Sequence, residues 1–395
     1  MKHHLTYRAT VTSCFLGYFT QAVAINLSPL LYVTFRNQFG LTLGQISLLI
    51  AINFGTQFLT DALSSFLVGK VGYRSATVGA HITAALGLCG YAFLPFLLPP
   101  YAGLIISVVL CGVGGGLIEV LISPMIEACP TPADEKSAHM SLLHSFYCWG
   151  QAAVILLSTL FFFAAGIENW RILPVLWAAV PATGAVLFTL VPIYTLPGDD
   201  GKPSYGLLFR SRAFWLLAVM MTCAGAAEMV MSQWASTFAE TGLGVNKALG
   251  DLAGPCLFAA LMGVARLLSA KLSKTIPTHR MMTVSLLLCI VSYLLAAFSG
   301  IPALGLAGCA LCGFSVGVLW PGTFSTAAAT PSLRGGGMTM FALLAFFGDL
   351  GCLAGPSVAG KIAEWTGGDL RNAFLFALIF PTVALAANSL LKRKR

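Results

Sequence analysis

Residues Cys111–Pro130 read CGVGGGLIEVLISPMIEACP. The stretch opens apolar and glycine-rich, places Glu119 in its middle, and turns apolar again. Apolar residues extend from Tyr101 to about Ala128. At 1.5 Å per residue such a helix covers the ~30 Å hydrocarbon core of a bilayer. A carboxylate at that depth costs about 2.5–3.5 kcal/mol on insertion scales, so it faces water, a polar partner or the interior of a bundle rather than lipid.

The rest of the chain belongs to the same solvent. Of 395 residues, 57% are hydrophobic and 9% charged, and mean hydropathy is +0.86. A typical soluble domain carries roughly 25% charged residues, so these charges are too few to cover a water-facing surface. About twelve apolar stretches of spanning length recur, the first near 9–35 and the last near 369–391. The reading is an all-α membrane protein. The one longer polar connection, LPGDDGKPSYGLLFRSR (Leu196–Arg212), divides the spans six and six. It predicts a six-helix bundle over 1–195, a cytoplasmic linker over 196–212 and a second six-helix bundle over 213–395. The first stretch has no small-residue cleavage site and is expected to be a retained helix.

Charge gives orientation. With a cytoplasmic N-terminus, Arg36, Arg171, Lys247, Lys361 and Arg371 face outward, Arg266 lies within a helix, and every other Lys and Arg faces inward. The positive-inside rule therefore places both termini in the cytoplasm, with the chain spanning the plasma membrane many times. The net charge of +8 needs no nucleic acid to explain it.

The chain also repeats itself. A shift of 201 residues lays CGVGGGL (Cys111–Leu117) on CGFSVGV (Cys312–Val318), Pro130 on Pro331, Phe146 on Phe347 and Gly150 on Gly351. A shift of 202 lays Asn26 on Glu228. Two parallel six-helix halves with a midplane binding site is an architecture of secondary transporters.

Over its whole length the chain resembles the major facilitator superfamily. The resemblance implies a central cavity lined by the first, fourth, seventh and tenth helices, which here carry Asn26, Glu119, Glu228 with Gln233 and Trp234, and Trp320. The loop SFLVGKVGYR (Ser65–Arg74) keeps the superfamily's Lys70, Gly72 and Arg74 and departs at Ser65, Gly69 and Tyr73, with Asp61 four residues earlier as a substitute acid. GGLIEVLISP (Gly115–Pro124), GAAEMVMSQWASTFAE (Gly225–Glu240), GVARLLSAKL (Gly263–Leu272) and LWPGTFS (Leu319–Ser325) are similar to segments of the fucose–proton symporter family and its glucose/galactose and sodium-dependent glucose relatives. In those proteins the acid matching Glu119 belongs to the proton or substrate site. The helix-one aspartate of fucose symporters is missing, since the chain reads NLSP at Asn26–Pro29. A second titratable group must then come from elsewhere, or the coupling differs.

The candidates are weighed against plainer roles. Glu119, Glu228, Asp349 and His144 are the coupling candidates for a proton or sodium ion, with interhelical hydrogen bonding as the alternative for each. Trp320, Trp234 and Trp149 offer flat faces to a sugar ring, yet tryptophan is also common at membrane interfaces. Asn26, Gln233, Asn53 and Gln57 are solute-binding candidates beside Glu119. Asp61 and Arg266, both toward the cytoplasmic ends of their helices, are expected to form a structural pair. Gly112–Gly116 follows no strand and so is no phosphate loop, and Cys309-x-x-Cys312 lacks a second pair or histidine. No cofactor or metal is expected. The reading is a monomeric symporter that takes up a sugar or similar small polar solute with a proton or sodium ion. An efflux antiporter for amphipathic compounds is the first alternative, and an intramembrane enzyme or receptor the remote one.

Overall fold

The computed structural model describes residues 6–130, 133–194, 205–272, 275–333 and 337–392. Among them every regular element is helical, and twelve helices are long and apolar enough to cross a membrane. They are α1 (Tyr7–Phe39), α2 (Leu43–Ser64), α3 (Tyr73–Leu97), α4 (Pro100–Ile126), α5 (Leu142–Ala165), α6 (Ile172–Leu190), α7 (Arg212–Gly242), α8 (Lys247–Ser269), α9 (Thr278–Phe298), α10 (Pro302–Ala327), α11 (Leu343–Trp365) and α12 (Leu370–Leu391). The expected linker lies outside the described residues over 196–204, and its later part forms a short helix, Tyr205–Arg210.

Several spans are broken or carry π turns, and Pro29, Pro255 and Pro321 mark three of these places. In α1 the α-helix Tyr7–Asn26 gives way to a 3₁₀ turn, Ser28–Leu31, with Pro29 near its start. The span resumes over Tyr32–Phe39 and stops at Gly40, whose φ of 67° is left-handed. In α10 the helix Pro302–Val316 ends just before Leu319–Ala328 begins. Pro321 has no N–H, so the Gly317 carbonyl four residues earlier loses its helical donor. Two π turns, Phe238–Gly242 at the end of α7 and Leu252–Cys256 within α8, face the short connection between those helices.

The chain packs as two compact units. One comprises Met1–Leu41 with Ile52–Asp199, the other Thr42–Ala51 with Asp200–Arg395, so the first turns of α2 are counted with the second unit. Within each unit the internal repeat reappears as close helix contacts. In the first, a Cβ on Gly112 would lie 2.9 Å from Asn53 O, on Gly116 2.9 Å from Asp61 Oδ1, and on Gly150 3.0 Å from Ala22 Cβ. Their partners at the 201-residue shift do the same in the second unit: Gly313 sits on the Phe258 carbonyl, Gly317 on Met262 O and Gly351 on Thr222 O. Both copies thus use glycine to bring α4 onto α2 and α5 onto α1, or α10 onto α8 and α11 onto α7. Small residues of this kind let helix backbones approach in lipid, where no hydrophobic drive holds helices together.

Candidate functional site

In the first unit, α1 and α4 meet along an antiparallel seam. Gly17 leaves room for the Ile122 side chain. Tyr18 and Ser123 share a hydroxyl hydrogen bond of 2.6 Å. One turn further, Gln21 Nε2 donates to Glu119 Oε2 at 2.5 Å. Gln21 is buried while Glu119 is only half-buried. Glu119 accepts no other hydrogen bond among the described residues, so its second oxygen is open. From α5, the exposed His144 ring meets Tyr18 edge-on with centroids 5.5 Å apart. Glu119 and His144, both coupling candidates, thus both pack on the Tyr18–Gln21 stretch of α1. Sequence reading missed Tyr18, Gln21 and Ser123. The spacing Tyr18–Gln21 and Glu119–Ser123 places each pair on one helix face, but that spacing recurs too often in a membrane helix to stand out.

Other candidates in this unit fall around the seam. Asn53 and Gln57 of α2 are buried and linked, Gln57 Nε2 to Asn53 Oδ1 at 3.4 Å. Gln57 lies against Gly115 and Gly116, and Asp61 against Gly116. Trp149 on α5 is 42% exposed. Asn26 is buried and its Nδ2 donates to the Ala22 carbonyl at 3.0 Å. Its amide nitrogen closes the helical segment at the break in α1, a structural use that the sequence reading did not assign.

The second unit holds the other acids. Glu228 on α7 is buried, with Oε2 3.9 Å from Arg266 Nη2 on α8. That separation is an ion pair but too long for a hydrogen bond, and Glu228 Oε2 has no hydrogen-bond partner among the described residues. Arg266, read from the sequence as the companion of Asp61, therefore has Glu228 as a partner. Trp234 corrects an expectation: it is fully buried and its Nε1 donates to Pro356 O at 3.0 Å. Enclosed in this way, the indole ties α7 to α11 and offers no face to a solute. Gln233 beside it is also buried. Trp320 is part-buried, its ring lying against Gly348 of α11 and 6.4 Å from the Phe324 ring. Asp349, next to that glycine, is part-buried.

A further polar cluster had no sequence signal. Lys247 Nζ lies 3.0 Å from Glu240 Oε1 and 3.1 Å from Asp251 Oδ2. Ser236 Oγ donates to Asp251 Oδ1 at 2.5 Å. Asp251 is wholly buried. The cluster joins α7 to α8 where both carry π turns, which bring side chains out of ordinary helical register.

Comparison with known proteins follows the same lines. The sequence model of the Major Facilitator Superfamily matches residues 14–348. No curated protein matches the sequence closely. Among solved structures, a bacterial homologue of the human lysosomal transporter Spinster, in an inward-facing and occupied conformation, has a TM-score of 0.76 at 16% identity, covering 98% of this chain and 97% of that one. The Escherichia coli fucose:proton symporter has a TM-score of 0.66 at 17% identity, covering 98% and 99%. The nucleoside transporter NupG has a TM-score of 0.74 at 13% identity, covering 97% and 99%. At such identities the likeness is one of fold, and the family rests on the sequence match across most of the chain. With twelve spans, an internal repeat and carboxylates at span depth, the chain belongs to the Major Facilitator Superfamily.

Proposed function

We propose that this transporter is a cation-coupled symporter for a sugar or similar small polar solute, with Glu119 as the group that links cation and solute. The observation that carries the reading is the half-buried Glu119 carboxylate, one oxygen held by Gln21 and the other open. An open carboxylate oxygen at span depth takes a proton, coordinates a small cation or accepts from a solute hydroxyl. Whichever binds first changes the affinity for the other, and the coupling is reciprocal. Glu228 is the second candidate, because Arg266 offsets its charge without a hydrogen bond. Two structural neighbours, a fucose:proton symporter and a nucleoside transporter, handle hydroxyl-rich solutes, which supports a solute of that kind.

The test begins by screening purified protein for thermal stabilisation by sugars, nucleosides, amino acids and organic acids. Uptake of the hit into liposomes is then measured under an imposed proton or sodium gradient. Glu119→Gln is expected to abolish uphill accumulation while solute exchange continues. Accumulation at the wild-type level in that variant would falsify the role of Glu119. Solute movement driven against the cation gradient would identify an antiporter instead.

A further inference from the structure

Nothing in the sequence sets Gln21 apart, yet among the described residues it makes the one side-chain hydrogen bond that Glu119 receives. Its surroundings leave it little freedom. Gln21 is 4% exposed, and the contacts one turn before it on α1 set the register of the α1–α4 seam. Gly17 against Ile122 and Tyr18 on Ser123 fix how far α1 can slide along α4. The amide nitrogen of Gln21 is therefore delivered to Glu119 Oε2 by backbone placement.

A primary amide is a particular choice for that position. It donates to a carboxylate but does not take up or release a proton near neutral pH. Bonding to the ionised carboxylate favours the ionised form. Protonation of Glu119 is left to the oxygen that Gln21 does not hold. The titratable groups packed near this stretch of α4 include Cys14 and Tyr18 on α1, Asp61 on α2 beside Gly116, Tyr73 and His81 on α3, and His144 and Tyr147 on α5. The Tyr73 hydroxyl donates to Leu121 O at 2.7 Å. Tyr18 is engaged with Ser123 and the His144 ring. None of them is hydrogen-bonded to Glu119 among the described residues, so Gln21 is the hydrogen-bonding neighbour that biases its protonation.

We infer that Gln21 is a positioning residue for Glu119: it pins one carboxylate oxygen, presents the other, and sets the pH range over which that oxygen is protonated. The inference rests on the reading of Glu119 as the coupling group, but its test is separate from transport.

Dicyclohexylcarbodiimide, an apolar reagent that modifies protonated carboxyl groups, reports the protonated fraction of Glu119 without any solute. Modification of the Glu119 peptide is followed by mass spectrometry against pH in detergent-purified protein. In wild type the pH midpoint is expected to lie lower than in Gln21→Leu by about one unit or more, a tenfold change in the protonated fraction at fixed pH. Gln21→Glu, nearly the same shape, should shift the midpoint in the same direction, because two adjacent carboxylates resist double ionisation. Thermal melting of both variants confirms that the bundle is intact. If Gln21→Leu misfolds, the midpoint of Gln21→Met, which removes the donor at similar length and adds no charge, decides. A midpoint unchanged from wild type in the folded variants overturns the positioning role and leaves Glu119 as the coupling group untouched. Conversely, wild-type accumulation by Glu119→Gln removes the coupling role without altering what the carbodiimide midpoints say about Gln21.

Discussion

Polar side chains at span depth divide by what surrounds them. Glu119 keeps an open oxygen, whereas the Asp251 carboxylate is hydrogen-bonded by Ser236 at one oxygen and ion-paired with Lys247 at the other. The second arrangement is structural. Removing one partner of a buried ion pair leaves an uncompensated charge and costs about 3–5 kcal/mol. Lys247→Met should therefore lower the melting temperature sharply, and the double variant Lys247→Met with Asp251→Asn should recover much of the loss. A double variant no better than Lys247→Met would show that the lysine acts in some other way. Trp234 makes the same point for aromatics. Emptying a fully buried indole site costs about 3–5 kcal/mol, so Trp234→Ala should be unstable. Trp234→Phe fills most of the volume but removes the indole donor to Pro356 O, a hydrogen bond worth about 0.5–1.5 kcal/mol. Melting of the three proteins in detergent ranks them, and tighter or unchanged stability in Trp234→Ala would contradict the enclosure seen here.

At the scale of elements, glycine decides how closely helices pack. A Cβ on Gly351 runs into the Thr222 carbonyl of α7, a backbone atom that cannot turn aside. A Cβ on Gly79 of α3 meets nothing within 4 Å. Gly351→Ala should thus push α11 from α7 and reduce the yield of folded protein. Gly79→Ala should be neutral or gain up to about 1 kcal/mol from helix propensity. Folded yield by fluorescence-detected size exclusion distinguishes the two, and equal behaviour would mean that the α7–α11 contact yields easily. The breaks within spans were unevenly legible. Pro29 and Pro321 stand at theirs, each removing an N–H from the helical ladder, but Pro124, Pro181 and Pro356 lie inside helices that continue, so proline alone does not announce a break. The π turn of α7 carries no such mark, while that of α8 contains Pro255.

For the molecule as a whole, orientation follows from charge. The excess of Lys and Arg in alternate loops predicts that both termini lie in the cytoplasm. A green fluorescent protein fused after Arg395 should then be fluorescent, and alkaline phosphatase at the same point should be inactive. Phosphatase inserted after Gly244, in the connection between α7 and α8, should be active. The reverse pattern would invert the assignment. The 201-residue repeat also belongs to this scale. It was read from letters alone, and it returns as matched glycine contacts inside each unit.

Some properties of this protein are carried by one-dimensional sums along the chain. Hydropathy over about 20 residues is enough to give the solvent, the number of spans and the depth of Glu119, because a helix in lipid must satisfy its own backbone and so forms wherever the apolar run is long enough. The repeat is likewise a linear property. Which polar groups meet is not. Gln21 reaches Glu119 across 98 positions of sequence, and Glu228 takes Arg266 from the next span. Such pairings depend on how each helix is rotated about its axis, and packing against several neighbours sets that rotation. The same holds for the tryptophans. Trp234 and Trp320 look alike as letters in apolar spans, but the position of α11 encloses the first against the Pro356 carbonyl and leaves the second part-exposed beside Gly348.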